Sequence, residues 1–195
     1  MTSSAGSPPE YVIDPDTLRE TVTDIAAVTS HIADLKASGE TGDAERVSWL
    51  RIASRLAEAE ELGWHMLIDR GGADQHRAVT EPLPFAAVSA ALRLAHILHW
   101  REDFNTAEAL FDAAFDSADI AAKKADESST IAHILIAFTW QHRGKLRYDQ
   151  GRFTDARDCF TRALNIRESL SRPTDELESS RLAIKAATTR LNQTD

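Results

Sequence analysis

The sequence has few of the residues from which disulfides, metal sites and membrane spans are built. Its one cysteine, Cys159, excludes an intramolecular disulfide and a cysteine-rich metal site. The longest apolar stretch without a formal charge runs from Ser128 to His142, which is shorter than the ~20 residues that a membrane-spanning helix needs. The N-terminus shows no basic and apolar signal segment, so we expect a cytoplasmic protein.

Basic residues are also fewer than acidic residues. The chain has 22 lysines and arginines against 31 aspartates and glutamates, which gives a net charge of −9. Nucleic-acid binders draw much of their affinity from cations that neutralise phosphates. We therefore expect neither a nucleic acid nor a membrane as a partner. Hydrophobic residues make up 43% of the 195, which is enough for one large domain or two small ones with a folded core.

Apolar residues recur at steps of three and four along most of the chain, which is typical of amphipathic helices. Seven helices are predicted, and because no segment alternates as a strand would, the predicted fold class is all-α. Asp14–Pro15 has the form of a helix start, since aspartate caps well and proline suits the first helical position. A second helix is predicted from Asp43 to Arg70. The predicted division of the chain is a flexible tail (1–12), an N-terminal helical hairpin (13–72), a loop (73–84) and a set of helical repeats with a capping helix (85–195).

Two parts of the chain are similar to each other at a separation of 49 residues. The shared pattern is alanine, phenylalanine and alanine at steps of four and three, first as Ala107, Phe111 and Ala114 and then as Ala156, Phe160 and Ala163. Four further residues lead into the second set, namely Trp140, Gly144, Gly151 and Phe153, and Ala95 holds the place of Gly144 in the earlier unit. Small residues at this spacing let paired helices approach closely, while the aromatic rings fill the space between hairpins.

This pattern resembles the tetratricopeptide repeat, and its wide spacing is similar to the long-helix form of bacterial regulators. The resemblance implies a helical-hairpin repeat array of about three hairpins with a C-terminal capping helix. It further implies that the first helix of each hairpin lines a groove that binds a peptide or protein segment. The residues carried onto that groove are Leu92, Arg93, His96, His99, Trp100, Phe138, Gln141, His142, Lys145, Tyr148 and Asp149.

The sequence contains no phosphate-binding glycine loop and no HExxH, CxxC or GxSxG motif, so we expect a non-catalytic scaffold or adaptor without a cofactor. Two alternatives stay open: a regulatory domain that senses a peptide or metabolite, and an enzyme with a dispersed site. A third alternative is zinc or nickel binding by His96, His99 and His142, although no carboxylate lies at a suitable spacing from them. Residues 141–172 carry eight basic and four acidic side chains in an otherwise acidic chain, which predicts a homodimer that loosens with salt.

Overall fold

The computed structural model describes residues 7–71, 83–124 and 128–194. Within these ranges the chain forms eight helices and one two-stranded sheet. The strands are β1 (Tyr11–Ile13) and β2 (Glu20–Val22). The helices are α1 (Ile25–Ala37), α2 (Glu40–Ile52), α3 (Leu56–Asp69), α4 (Phe85–Trp100), α5 (Phe104–Ala122), α6 (Ser128–Asp149), α7 (Phe153–Ser169) and α8 (Thr174–Thr194).

Each helix packs on the next along the chain, and α2 contacts α4, α4 contacts α6, and α6 contacts α8. We call the side formed by these four alternate helices the inner face. The hairpins α2–α3, α4–α5 and α6–α7, followed by α8, confirm the predicted helical-hairpin array with a C-terminal helix. None of the described helices combines the length and the apolar character that crossing a membrane requires.

Four of the turns between helices close in the same way. Each helix is followed by a residue with positive φ, namely Ser54 (58°), Glu102 (65°), Gly151 (73°) and Ser171 (51°). The N–H of the next residue donates to the carbonyl oxygen five residues earlier, as that of Asp103 does to Leu98 at 3.0 Å. This is the Schellman closure of a helix C-terminus. The α2–α3 hairpin thus ends its first helix as the two later hairpins do, although its sequence does not show the repeat pattern.

Glu102 and Gly151 occupy equivalent turn positions, and only the glycine suits positive φ without a steric cost. Both residues are exposed, and a Cβ at Gly151 would meet no atom within 4 Å. We expect Glu102→Gly to stabilise the protein by about 0.5–1 kcal/mol and Gly151→Glu to destabilise it by about as much. Urea denaturation of the two variants measures the difference. Equal stability of wild type and both variants would contradict the backbone conformation described for these turns.

The structure of the N-terminal region differs from the sequence-based prediction. The helix predicted to begin at Asp14–Pro15 starts instead at Ile25, and Asp24 caps it by accepting from the backbone N–H of Ala27 at 2.8 Å. Residues 11–13 and 20–22 pair as antiparallel strands, with Tyr11 opposite Val22. The predicted flexible tail therefore ends too late, since its last two residues belong to β1; residues 1–6 lie outside the described ranges.

Asp14 caps a turn rather than a helix. Its carboxylate accepts from the backbone N–H groups of Asp16 (2.9 Å) and Thr17 (2.8 Å), which folds the chain back between the two strands. The helix predicted from Asp43 to Arg70 is also divided, because Ser54 adopts positive φ and separates α2 from α3. The predicted N-terminal hairpin is consequently a strand pair followed by three helices. Most of the predicted loop 73–84 lies outside the described residues.

The residues of the repeat pattern lie where the hairpins pack. The six members of the alanine and phenylalanine sets are fully buried, and so is Ala95. Gly144 of α6 lies against the ring of Phe160 on α7. Trp140 is half-buried: its ring packs edge-on against Phe115, with centroids 5.3 Å apart, and the guanidinium of Arg162 covers it at 4.6 Å.

Candidate functional site

A cavity of about 880 Å³ opens on the inner face. Its wall is formed by α2, α4, α6 and α8, with Arg167 of α7, Arg172 between α7 and α8, and residues of the N-terminal strands completing one side. Six of the residues predicted to line a groove lie on this wall, namely Arg93, His96, Phe138, Gln141, His142 and Lys145. Apolar side chains, among them Ile97 and Ile134, form the remainder next to Phe138. The cavity therefore combines an apolar side with a group of polar side chains.

The other five predicted groove residues do not line the cavity. Leu92 is buried in the main hydrophobic core, because its side of α4 faces the neighbouring helices. The other four contact residues 16–20 or one another, namely His99, Trp100, Tyr148 and Asp149. These four residues are not accessible from the cavity, because they are buried or in contact with the chain's own N-terminal segment. We call residues 14–22 the N-terminal segment.

Glu20 of β2 is the buried carboxylate of the site. One of its oxygens accepts from Arg51 of α2 at 2.8 Å and the other from Lys145 of α6 at 2.9 Å. Burial alone would raise the pKa of Glu20, but the charges of Arg51 and Lys145 outweigh burial and hold that pKa well below its ordinary value. Burial lowers the pKa of Lys145, and the charge of Glu20 opposes this effect. The carboxylate thus bridges two cations from different hairpins.

A second polar contact lies beside the first. Arg19 donates to Asp149 at 3.0 Å, and the same carboxylate oxygen lies 2.9 Å from Nε2 of His99. Burial would raise the pKa of Asp149, but His99 and Arg19 together lower it. The guanidinium groups of Arg19 and Arg51 both lie over the ring of Trp100, at 5.4 and 4.5 Å from its centroid.

Four buried polar atoms at the cavity have no hydrogen-bond partner within the described part of the chain: Nε2 of His96, Nε2 of Gln141, Nδ1 of His142 and Nε of Arg167. The two imidazole rings lie 3.9 Å apart between centroids. Burial, followed by the charges of nearby cations, lowers the pKa of both histidines well below its ordinary value, so both are neutral near pH 7. Oε1 of Gln141 accepts from Ser180 at 2.8 Å and from Arg167 at 3.3 Å, which leaves the amide NH₂ as a donor without an acceptor.

The buried charges at the cavity are unequal in sign. Among the described residues, Arg51, Lys145 and Arg167 are buried cations on this wall, whereas Glu20 is the one buried carboxylate. Glu176 lies half-buried at the rim, 3.6 Å from Nε of Arg167. Because buried charges need counter-charges, the inner wall favours acceptors and carboxylates over cations.

Sequence reasoning missed Arg51, Arg167 and Glu20. Arg51 is on a helix without the repeat pattern, and Glu20 lies in a segment predicted to be helical. No local pattern could have placed Glu20 beside Lys145, because the two residues are separated by 125 positions in the chain. Among the residues that the structure describes, no group of three or more histidine, cysteine, aspartate or glutamate side chains is arranged to hold a metal ion.

The geometry defines a class of protein: a helical-hairpin array with a cavity on the face formed by its alternate helices. A family model described as Tetratricopeptide repeat matches residues 137–170, which span the second half of α6 and all of α7. The chain therefore carries a tetratricopeptide repeat, as the spacing around Trp140 and Gly144 predicts. Comparison with curated proteins and with solved structures gave no match.

Proposed function

We propose that this protein is a non-catalytic protein–protein interaction module, a scaffold or adaptor that holds a segment of a partner on its inner face. The observation that carries the proposal is the cavity of about 880 Å³ with four buried polar atoms that lack hydrogen-bond partners among the described residues. Unsatisfied buried polar groups cost free energy, and a bound chain with its own donors and acceptors removes that cost. The tetratricopeptide repeat at residues 137–170 supports the same function.

The two sides of the cavity suit different parts of a bound peptide. Phe138 and Ile134 offer an apolar surface to one side chain of the partner. The free amide of Gln141 and the imidazoles of His96 and His142 provide hydrogen-bonding groups for backbone carbonyls or a carboxylate. A few buried aromatic contacts commonly supply most of the binding free energy at such sites, while polar groups set orientation.

Selection from a displayed library of random peptides tests the proposed function. We expect one or a few related peptides to bind the wild type and to lose at least tenfold in affinity to Phe138→Ala, equivalent to about 1.4 kcal/mol. Phe115→Ala is the matched control, because Phe115 is also a half-buried phenylalanine but packs against Trp140 outside the cavity. Failure to enrich any peptide, or equal losses in the two variants, would contradict the proposal.

A regulatory domain that senses a small metabolite is the second candidate function. The volume of the cavity favours it, because small-molecule sites commonly enclose roughly 300–1,000 Å³.

A homodimer and a cytoplasmic location stay predictions. Within the chain, Arg143 and Arg147 of α6 form ion pairs with Glu108 of α5, which leaves fewer basic groups for contacts with a second copy.

A further inference from the structure

Two side chains anchor the N-terminal segment to the inner face. Leu18 is fully buried in a small cluster with Tyr148, Ala183 and Ala187, which belong to α6 and α8. Two residues later, the carboxylate of Glu20 is buried between Arg51 and Lys145. One anchor is aliphatic and occupies an apolar recess, and the other is acidic and meets two cations.

The inner face also contacts the backbone of this segment. The hydroxyl of Tyr148 donates to the carbonyl oxygen of Asp16 at 3.0 Å. Arg19, between the two anchors, reaches Asp149 and lies over Trp100. Pockets for separate side chains, combined with hydrogen bonds to the main chain, are how proteins bind extended peptides. The segment therefore contacts the inner face as a bound peptide would.

The segment contributes little to the main hydrophobic core. The main hydrophobic core extends from α1 to α6 and includes from residues 7–22 only Val22, at its edge. The strands β1 and β2 have three residues each, and a two-stranded hairpin of this size is not stable in water without further contacts. Leu18 has φ of 58°, a conformation that is uncommon for a residue with a side chain. Tyr11 and Val12 are about half exposed, at 49% and 59%.

The segment covers residues that the repeat pattern assigns to partner binding. His99, Trp100, Tyr148 and Asp149 are in contact with it or with each other beneath it, and Lys145 is paired with Glu20. A partner that reaches these residues must replace residues 14–22. Because the segment is tethered at α1, its effective concentration at the inner face is on the order of millimolar, and it competes with any free peptide.

We infer that the N-terminal segment is an internal ligand of the inner face, and that the partner is a protein segment presenting an aliphatic side chain and, two residues later, a carboxylate. The inference rests on the proposed function and specifies the chemistry of the partner. The aliphatic side chain replaces Leu18 beside Tyr148, and the carboxylate replaces that of Glu20 between Arg51 and Lys145. Binding of the partner releases residues 14–22 from the face.

A labelled peptide that copies residues 12–22 of the chain tests this inference. Its binding is measured by fluorescence anisotropy to the wild type and to the full-length double variant Leu18→Ser/Glu20→Ser, whose own segment has lost both anchors. We expect the double variant to bind the peptide at least tenfold more tightly than the wild type. A control peptide with alanine in place of Leu18 and Glu20 is expected to bind neither protein. A double variant with wild-type helical circular dichroism that binds no peptide would overturn the inference.

Hydrogen exchange on the wild type gives a second test that needs no variant. We expect the amides of residues 12–22 to exchange at least 100-fold faster than those of α6, because the segment detaches without unfolding of the helices. Exchange as slow as that of α6 would show that the segment is an integral part of the fold, and the inference would be wrong. Library peptides that bind the wild type without accelerating exchange of residues 12–22 would also overturn it, while leaving the proposed function intact. The proposed function fails on its own test, when the wild type enriches no library peptide or when Phe138→Ala and Phe115→Ala lose equal affinity.

Discussion

Gly144→Leu is expected to lower the stability of the protein by about 3 kcal/mol, at the upper end of the cost of overpacking a core. Even a Cβ at position 144 would overlap Cε1 and Cδ1 of the Phe160 ring. Phe160 is fully buried, so its ring can move only if the residues packed around it move as well. For a protein of this size the expected loss corresponds to a fall in Tm of roughly 6–12 °C.

Thr130→Leu is the matched control, because it places the same side chain at an exposed position of the same helix. We expect that control to change Tm by less than a degree or two, as surface substitutions usually do. Combining Gly144→Leu with Phe160→Ala should cost less than the two single changes together, since removal of the ring makes room for the leucine. An unchanged Tm in Gly144→Leu would show that α6 and α7 do not pack through this contact.

Acidification from pH 7.5 to 5.5 is expected to lower the free energy of unfolding by about 2–3 kcal/mol through His96 and His142. Burial depresses the pKa of both histidines in the folded state, with a further contribution from nearby cations. As the pH falls below the unfolded value of about 6.5, the unfolded chain takes up protons that the folded chain excludes, so acid favours unfolding. For each pH unit below that value, each histidine that stays neutral in the folded protein lowers the free energy of unfolding by about 1.4 kcal/mol.

Urea denaturation at the two pH values measures this effect. Carboxylates with lowered pKa, such as Glu20 and Asp149, add to acid sensitivity mainly below about pH 5, outside this window. Replacing His96 and His142 with glutamine should remove most of the pH dependence. His99 contributes the remainder, because burial lowers its pKa while Asp149 opposes that effect. His65→Gln should leave the pH dependence in place, because His65 is largely exposed on α3. Equal free energies of unfolding at pH 7.5 and 5.5 would contradict the buried, neutral state of His96 and His142.

The sequence by itself determined the helices from α4 onward and the packing positions of the repeat. Their signals are local: apolar residues at steps of three and four, alanines where helices approach, and Gly144 with Phe160 at a fixed spacing. The local signal leaves the exact start of α5 open, since Asp103 and Asn105 are both capping residues; Asp103 caps the helix by accepting from the N–H of Thr106 at 3.2 Å.

Only the tertiary structure decided the conformation of the N-terminal segment and therefore which residues of the candidate site are accessible. Asp14–Pro15 starts a helix or a turn equally well, and the apolar residues that follow fit a helical stripe as readily as a short strand. The contacts that select the turn and strand come from far along the chain, since Tyr148 binds the Asp16 carbonyl and Lys145 binds Glu20. The groove residues predicted from the repeat likewise lie on α4 and α6, but whether each is open, buried or covered depends on residues distant in sequence, such as Glu20, which lies 125 positions from Lys145. Long-range burial and charge pairing, which no local pattern encodes, decide that outcome.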